Sequence, residues 1–320
     1  MPAIPGTSIV IPVDSTMGAC LIGSFLSCIL YGLTLLQTYH YCCRYWGKDK
    51  LYIYILVATL TVLDTFGIIL NIKGLWYYLI DNYGNVLSIL FIDWTLAIFI
   101  IVTALTSILV QAFYSYRLWM ISGKKMVALP VIIMLLGFVA LALCIVYMVL
   151  MLRNGAILYI PTVTYLPTSA LSLSLASDIL ITSSMTYVLM KHKGEVRIRQ
   201  TRNTLRKLVM YTIYTGSLTI VCTTCALIIG QVLSHTEYNT IFFFPSGKFY
   251  VNSMLAFLNA RDSLRGENSL ISVSLSNMGN STSGDSEMAT GSESRGPRSN
   301  NSTIKFAPVP TVASVTSEGK

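Results

Sequence analysis

The stretch Met126–Leu152 reads MVALPVIIMLLGFVALALCIVYMVLML and contains no charged residue. A helix rises 1.5 Å per residue, so about 20 apolar residues cross the roughly 30 Å hydrocarbon core of a bilayer, and this stretch is longer than that. Lys124 and Lys125 precede it and Arg153 follows it, so both of its ends are polar. A segment of this length and composition predicts a helix that crosses a membrane.

The composition of the whole chain indicates a membrane protein. Of its 320 residues, 54% are hydrophobic and 11% are charged, and the mean hydropathy is +0.65. Soluble domains carry about 25% charged residues. The 14 acidic and 22 basic side chains are therefore too few to cover a water-facing globule. This composition excludes a soluble enzyme and a chain that is disordered throughout.

The same criterion, applied along the chain, predicts seven membrane helices. They are Met17–Tyr41, Leu51–Leu70, Leu90–Tyr116, Met126–Leu152, Thr168–Met190, Leu208–Leu233 and Ile241–Ala260. The last has the weakest signal, because Pro245, Gly247 and Lys248 interrupt its start. The predicted fold is all-α: a seven-helix transmembrane bundle over residues 17–260, preceded by an extracellular arm, residues 1–16, and followed by a tail, residues 261–320.

The basic residues predict how the bundle is oriented. Of the 22 Lys and Arg residues, all but Lys73, Arg153 and Lys248 fall in the first, third and fifth loops or in the tail. Cytoplasmic loops carry the excess of basic residues. We therefore expect an odd number of spans, with the N-terminus outside and the C-terminus in the cytoplasm.

The fifth predicted loop is the most basic segment of the chain. Nucleic-acid binding is one interpretation of such a cluster, but a basic cytoplasmic loop beside two spans is typical of a topology signal and of contact with anionic lipids. We expect lipid contact and no nucleic acid. The residues concerned are Lys191, Lys193, Arg197, Arg199, Arg202, Arg206 and Lys207.

The tail, residues 261–320, changes composition abruptly. Ser and Thr supply 19 of these 60 residues, and no run of the tail buries enough apolar surface to offset chain entropy. We expect a disordered cytoplasmic tail. It is either a phosphorylated segment that contacts a cytoplasmic partner or a passive solvated one.

Two features of the cysteines bear on function. Cys42 and Cys43 lie at the predicted cytoplasmic end of the first span, a position where S-palmitoylation occurs. Cys222 and Cys225 form a CxxC inside the sixth span, where zinc would need two further ligands at the same depth. We expect buried thiols there and no metal site.

Several polar residues fall inside predicted spans, where they are costly and usually face the bundle interior. They are Asp64, Gln111, Asp178, Lys248, Asn252 and Asn259. One interpretation is a polar cavity or ion path, in which Lys248 pairs with an acid from another span. The other is a set of interhelical hydrogen bonds that fix helix register. Asp178 lies closest to mid-membrane, and for this residue the two interpretations stay open.

Five short motifs stand out between Met17 and Arg265. They read YGLTLLQ, LDT, VQAFYSYR, YTIYTGSLT and YVNSMLAFLNAR. Together they resemble the multipass membrane proteins of basidiomycete fungi whose C-terminal half is catalogued as domain of unknown function six-five-three-four. That resemblance implies a seven-span bundle with no established activity. It marks as pattern positions Asp64, Gln111, Arg117, Asp178, Asn252 and Asn259.

The resemblance assigns no chemistry to those positions. Family members often carry a His three residues after the acid of the second span, and Gly67 stands there in this chain. A role for an Asp–His pair is therefore not expected.

The sequence leaves three functions open. A receptor-like or sensor protein is favoured by seven spans, the outside N-terminus, the basic loop and the Ser/Thr-rich tail. A transporter or ion-conducting protein is indicated by Asp64 and Asp178, and a membrane scaffold is the third interpretation. The motifs HExxH and GxSxG and a phosphate loop are absent from the sequence, so we expect no enzyme and no cofactor. The default location is the plasma membrane.

Overall fold

The computed structural model describes residues 14–45, 47–85, 88, 93–123, 127–154, 161–191, 199–233 and 236–281. The described residues form helices and connecting turns, with no strand among them. They fall into two compact units, Met1–Ser272 and Val273–Lys320. The first unit contains the helical bundle, and the described part of the second is the end of the last helix.

Seven α-helices follow one another along the described chain. They are α1 Ala19–Tyr45, α2 Leu51–Trp76, α3 Trp94–Ile121, α4 Ala128–Asn154, α5 Pro161–Lys191, α6 Arg199–Val232 and α7 Thr240–Ser281. A π-helical turn, Asp14–Gly18, precedes α1, and another, Tyr77–Asp81, follows α2. Asp93 caps α3, because its carboxylate accepts a hydrogen bond from the backbone N–H of Thr95.

Six of these helices are long and apolar enough to cross a membrane. The apolar segments are Thr16–Tyr45, Leu51–Asp81, Trp94–Ile121, Ala128–Arg153, Tyr165–Val188 and Thr240–Ala260. In α6 the apolar part within the described residues is the shorter segment Gly216–Val232. The chain is therefore an integral, multipass membrane protein, and a crossing by α6 stays a prediction.

The last span, which has the weakest sequence signal, is well formed. Pro245 and Lys248 both lie inside α7. A proline inside a helix removes one backbone hydrogen bond, and α7 continues on both sides of Pro245. The same holds for Pro167 in α5, which begins at Pro161, seven residues before the predicted span Thr168–Met190. The apolar segment of this helix, Tyr165–Val188, lies close to that span.

Two helices extend past the predicted span boundaries at the end that is predicted to be cytoplasmic. α6 begins at Arg199, within the predicted basic loop. The predicted tail does not start as irregular chain, because α7 continues from Ala260 to Ser281. Residues 282–320 of the predicted tail lie outside the described residues.

Contacts between helix ends show that α1 and α7 run in the same direction and that α5 and α6 run in opposite directions. The start of α1 meets the start of α7, where the Thr240 hydroxyl lies 3.6 Å from the sulfur of Cys20. The start of α5 meets the end of α6, where Gln231 donates to Thr168 over 3.2 Å. At the opposite end of the bundle, Tyr45 of α1 donates to the carbonyl of Asn259 in α7 over 3.3 Å.

α7 is the central helix and α4 is the most peripheral of the six apolar helices. In the most apolar stretch of α7, 72% of residues are buried, against 17% in α4. The outward positions of α4 carry large apolar side chains such as Leu135 and Phe138. In a bilayer these side chains face lipid, since lipid tails solvate apolar groups as well as a protein core does.

A glycine lets α1 approach α7 closely. A Cβ atom on Gly23 would lie 2.6 Å from the carbonyl oxygen of Thr240, a separation that atoms do not tolerate. Ala19 and Ser27, one turn to either side, are also buried. Ala19, Gly23 and Ser27 therefore form a helix-packing surface of small residues, of the kind that membrane proteins use.

Candidate functional site inside the bundle

A buried ion pair joins α7 to α2. The ammonium of Lys248 lies 2.6 Å from Oδ1 of Asp64 and also donates to the backbone carbonyl of Asp64 over 2.9 Å. The two side chains are 3% and 2% exposed. Lys248 follows the start of α7 at Thr240 by eight residues, or about 12 Å of helix. It is therefore a buried residue of the span and not a residue of the sixth loop.

Small and aromatic neighbours surround the ion pair. A Cβ atom on Gly67 would lie 3.6 Å from the Lys248 nitrogen, at van der Waals contact, so this glycine of α2 lies beside the ammonium. The ring centroid of Tyr31 lies 5.8 Å from the same nitrogen, within the range of a cation–π contact. The second carboxylate oxygen of Asp64 is buried and has no hydrogen-bond partner among the described residues.

A second polar group joins α7 to α5 and α3. The hydroxyl of Tyr250 donates to Oδ2 of Asp178 over 2.6 Å. One turn further along α7, Ser253 shares a hydrogen bond of 2.8 Å with the hydroxyl of Tyr114 in α3. Both pairs lie in the interior of the bundle. They connect three helices by side chains alone.

These residues border a cavity of about 20 Å³. A cavity of about 10–15 Å³ on this measure holds one water molecule, so the volume suits one water or one small ion. Four helices supply its walls at one-turn spacing. The lining residues are Val110, Gln111 and Tyr114 from α3, Asp178, Ile181 and Thr182 from α5, Gly216 and Thr219 from α6, and Tyr250 and Ser253 from α7.

Gln111 is the least satisfied polar residue of this cavity. Its side chain is 1% exposed, and neither the oxygen nor the nitrogen of its amide has a hydrogen bond of normal geometry among the described residues. Gln111 and Thr219 both approach the carboxylate of Asp178. On the α4 side, Gly137 makes room for the amide, because a Cβ there would lie 2.8 Å from its oxygen.

The residues predicted to share one polar cavity divide into two sites. Lys248 and Tyr250 are two residues apart on α7, which turns their side chains about 200° from each other. Lys248 therefore faces Asp64 on α2, while Tyr250 faces Asp178 on α5. The expectation that Lys248 pairs with an acid from another span agrees with this geometry. The expectation that Asp64 and Asp178 line the same cavity does not.

The two predicted asparagines make the interhelical hydrogen bonds of the second interpretation. Asn252 donates to the carbonyl of Leu30 over 3.0 Å, and Asn259 donates to the carbonyl of Gln37 over 2.9 Å. Both acceptors belong to the backbone of α1. Because the asparagines are seven residues apart, they contact α1 two turns apart and fix its register against α7.

Sequence reasoning missed Tyr250, Tyr114 and Thr219 as members of the Asp178 site. Tyrosine and threonine are common in these spans, so the composition gave no sign that these three hydroxyls belong to the site. The spacing of residues along each helix offered one signal that could have indicated the site. Gln111 and Tyr114 are three residues apart on α3, as are Tyr250 and Ser253 on α7, and such pairs share a face.

The remaining predicted sites lie at the end of the bundle where α1 and α7 meet at Tyr45 and Asn259. Cys42 is partly buried against the core, whereas Cys43 is exposed. Of the basic cluster, Lys191 ends α5 and is exposed, and Lys193 and Arg197 lie outside the described residues. The others belong to the first turns of α6: Arg199, Arg202, Arg206 and Lys207.

The described residues contain no group of three or more His, Cys, Asp or Glu side chains that could hold a metal ion. Cys222 and Cys225 are partly buried free thiols of α6.

Comparison with known proteins identifies part of the chain. No curated protein and no solved structure matches it. A family model, in contrast, matches one segment of the chain. This segment begins in α5 and ends just beyond the membrane part of α7, so it includes Asp178, Lys248 and Tyr250. This segment, residues 174–263, is recognised by the model of a family of unknown function (DUF6534), the same family that the sequence motifs resemble.

Proposed function

We propose that the chain is a seven-span receptor-like or sensor protein with its N-terminus outside and its C-terminus in the cytoplasm. The shared direction of α1 and α7, the opposite directions of α5 and α6, and the placement of basic residues support this topology. The helix ends at Tyr45, Arg117 and Lys191 would then face the cytoplasm, and the ends at Cys20, Trp94 and Thr240 would face outward. The plasma membrane is the proposed location, and the proposed role is not enzymatic.

The observation that carries the proposal is the position of α7. It is the most buried of the apolar helices, and the Lys248–Asp64 ion pair and the Tyr250–Asp178 hydrogen bond hold it from two sides. Packed interiors switch between discrete arrangements and do not deform continuously. A signal from the outer side that alters either contact would favour another position of α7.

The cytoplasmic end of the bundle has the features needed to pass such a change on. The basic residues of α6, Arg199, Arg202, Arg206 and Lys207, are suited to contact with anionic lipid headgroups. Palmitoylation at the exposed Cys43, together with the partly buried Cys42, would anchor the same end. We propose that the fifth loop and the tail bind a cytoplasmic protein whose attachment depends on the position of α7.

Proximity labelling tests this proposal without knowledge of the ligand. A labelling enzyme is fused to the C-terminus of three full-bundle chains: the parent, the double variant Lys248→Met/Asp64→Asn, and a chain truncated after Ser281. A receptor-like protein should label a defined set of cytoplasmic proteins. The set should change several-fold in the double variant and be lost on truncation, with equal amounts of protein at the surface.

The control is Lys73→Met, which makes the same chemical change at an exposed lysine. Equal labelling by the parent and the double variant, with no effect of truncation, would remove the receptor proposal and leave a passive scaffold.

Transport is the second candidate, and the cavity beside Asp178 is the observation that favours it. A mid-membrane carboxylate with room for a water or an ion is a feature of ion and proton paths. In proteoliposomes, a transporter should conduct a solute or protons and lose this flux in Asp178→Asn. Absence of any flux in the parent removes this candidate.

A further inference from the structure

We infer that the cavity between α3, α5, α6 and α7 is a binding site for one small monovalent cation of the size of sodium, with Asp178 as its charged ligand. This inference goes beyond the proposed signalling role and does not depend on it. It rests on the ligand atoms around the cavity, on charge balance, on volume and on the unsatisfied amide of Gln111.

The ligand atoms are the kind that small hard cations prefer, which is oxygen. Asp178 contributes a carboxylate, of which Oδ2 accepts one hydrogen bond from Tyr250. A carboxylate has about four lone-pair positions, so it keeps capacity for a cation. Neutral oxygens surround it: the hydroxyl of Thr182 on the same helix, and on the other helices the hydroxyls of Thr219 and Ser253 and the amide of Gln111.

Charge balance favours a cation over a water molecule. No Lys, Arg or His side chain is among the residues that line the cavity. The nearest lysine along α7, Lys248, is on the other side of the helix and pairs with Asp64. A buried carboxylate without a counter-charge is strongly destabilising. A cation in the cavity supplies that charge, whereas a water supplies only hydrogen bonds.

Volume and charge together select a monovalent ion. The cavity of about 20 Å³ is close to the size of one water molecule, which excludes an organic cation. The lining contains a single carboxylate, and the described residues contain no cluster of acidic, thiol or imidazole groups that would hold a multivalent metal. One negative charge and several neutral oxygens match an alkali cation.

Gln111 is the independent observation that points to a ligand. Buried polar atoms in native proteins almost always have a partner. Gln111 is 1% exposed and lines the cavity, and neither atom of its amide has a hydrogen bond of normal geometry among the described residues, although the side chain approaches the Asp178 carboxylate. A cation in the cavity satisfies the acceptor when the amide is turned so that its oxygen faces the cavity and not Gly137. It gives the glutamine a role at a position where leucine would pack.

Cation-dependent stability of the purified full-length protein tests the site. Thermal unfolding in detergent micelles is followed in NaCl, in KCl and in N-methylglucamine chloride at equal ionic strength. A bound ion stabilises the folded state, so Tm should rise with the concentration of an alkali cation, in proportion to the logarithm of the concentration once this exceeds Kd. N-methylglucamine, which is too large for the cavity, should leave Tm unchanged.

Three variants locate the effect. Asp178→Asn should abolish the cation-dependent part of Tm, whatever it does to the absolute value. Gln111→Leu should raise the apparent Kd about tenfold, the effect of one lost ligand contact, and it keeps the test valid if Asp178→Asn does not fold. Asp81→Asn makes the same change at an exposed position and should behave as the parent.

Two results would overturn the inference. Identical unfolding curves of the parent in sodium, potassium and N-methylglucamine would mean that the cavity holds water or a protonated acid only. A full cation response in Asp178→Asn would place the ion elsewhere. Broadening of the sodium-23 resonance by the parent, absent with Asp178→Asn, is a second readout that does not depend on stability.

Discussion

At the scale of single residues, Asp64 and Asp178 in the bundle interior have different partners. Loss of the partner therefore has a different effect on stability for each acid. Asp64 is neutralised by a lysine from α7, whereas Asp178 is bonded to a tyrosine hydroxyl. A buried ion pair adds little to stability, since desolvation offsets the attraction. Loss of one partner, in contrast, leaves a charge without compensation.

The first prediction concerns that ion pair. Lys248→Met leaves the carboxylate of Asp64 buried and unpaired, so it should lower the free energy of unfolding by about 3–5 kcal/mol. The double variant Lys248→Met/Asp64→Asn removes both charges and should recover most of this loss. Unfolding of purified protein in mixed micelles measures both values. A double variant as unstable as the single one would contradict the assigned pair.

The second prediction concerns the hydroxyl of Tyr250. Tyr250→Phe removes one hydrogen bond to Asp178 and leaves the ring in place. Side-chain hydrogen bonds in membrane proteins contribute about 0.6 kcal/mol on average and at most about 1.7 kcal/mol, so the loss should fall in this range. Tyr83→Phe, at a tyrosine that is 89% exposed, is the control. Equal effects of the two changes would show that the hydroxyl of Tyr250 makes no special contact.

At the scale of helices, stability depends on how closely α1 and α7 approach. Gly23 allows the contact with the backbone of Thr240, and the amides of Asn252 and Asn259 donate to α1 carbonyls on the same side. Small residues at helix contacts are the usual means of close packing in membranes. The two asparagines then set the register of one helix on the other.

The third prediction compares two glycines of α1. Gly23→Ala places a Cβ atom 2.6 Å from a backbone oxygen of α7, which forces the helices apart and should cost about 1–3 kcal/mol of unfolding free energy. Gly32→Ala meets nothing within 4 Å and should gain up to about 1 kcal/mol from helix propensity. Unfolding of the two variants in micelles gives the difference. Equal stabilities would mean that α1 does not approach α7 as described.

The sequence predicts helices well because an apolar run of about 20 residues has few alternatives in a membrane. It predicts their ends poorly. α5 begins at Pro161, seven residues before the predicted span, and the polar composition after Ala260 gave no sign that α7 continues to Ser281. Proline and polar residues lower helix propensity by amounts that neighbouring turns can offset. Whether they end a helix therefore depends on the contacts of those turns, which the sequence does not show.

The same limit applies to the candidate sites. Spacing along one helix correctly assigned Asn252 and Asn259 to one face, because that face follows from the helix repeat. Which residue of another helix meets that face depends on the rotation and depth of both helices. For this reason the sequence could propose that Lys248 pairs with an acid but could not select Asp64 over Asp178, and it gave no sign of Tyr250.

At the scale of the whole molecule, the proposed orientation depends on the distribution of basic residues. The orientation in turn determines which ends of the helices meet the cytoplasm. The receptor proposal uses this orientation, because the tail can bind a cytoplasmic partner only from the inside. Glycosylation reports the side directly, since glycans are attached to Asn-x-Ser/Thr sequences only on the luminal side of the membrane.

The fourth prediction follows from this property. Asn280 begins the sequence Asn-Ser-Thr near the end of α7 and should stay unmodified in cells, because the proposed topology places it in the cytoplasm. The substitution Gly6→Asn creates Asn-Thr-Ser in the N-terminal arm and should add one glycan, visible as a mobility shift that a glycosidase reverses. A glycan at Asn280 would place the C-terminus outside and contradict the proposed orientation. No glycan on the Gly6→Asn chain, together with protease protection of both termini on one side, would require an even number of spans. The ends of α1 and α7 at Tyr45 and Asn259 could then not be assigned to the cytoplasm from the basic residues.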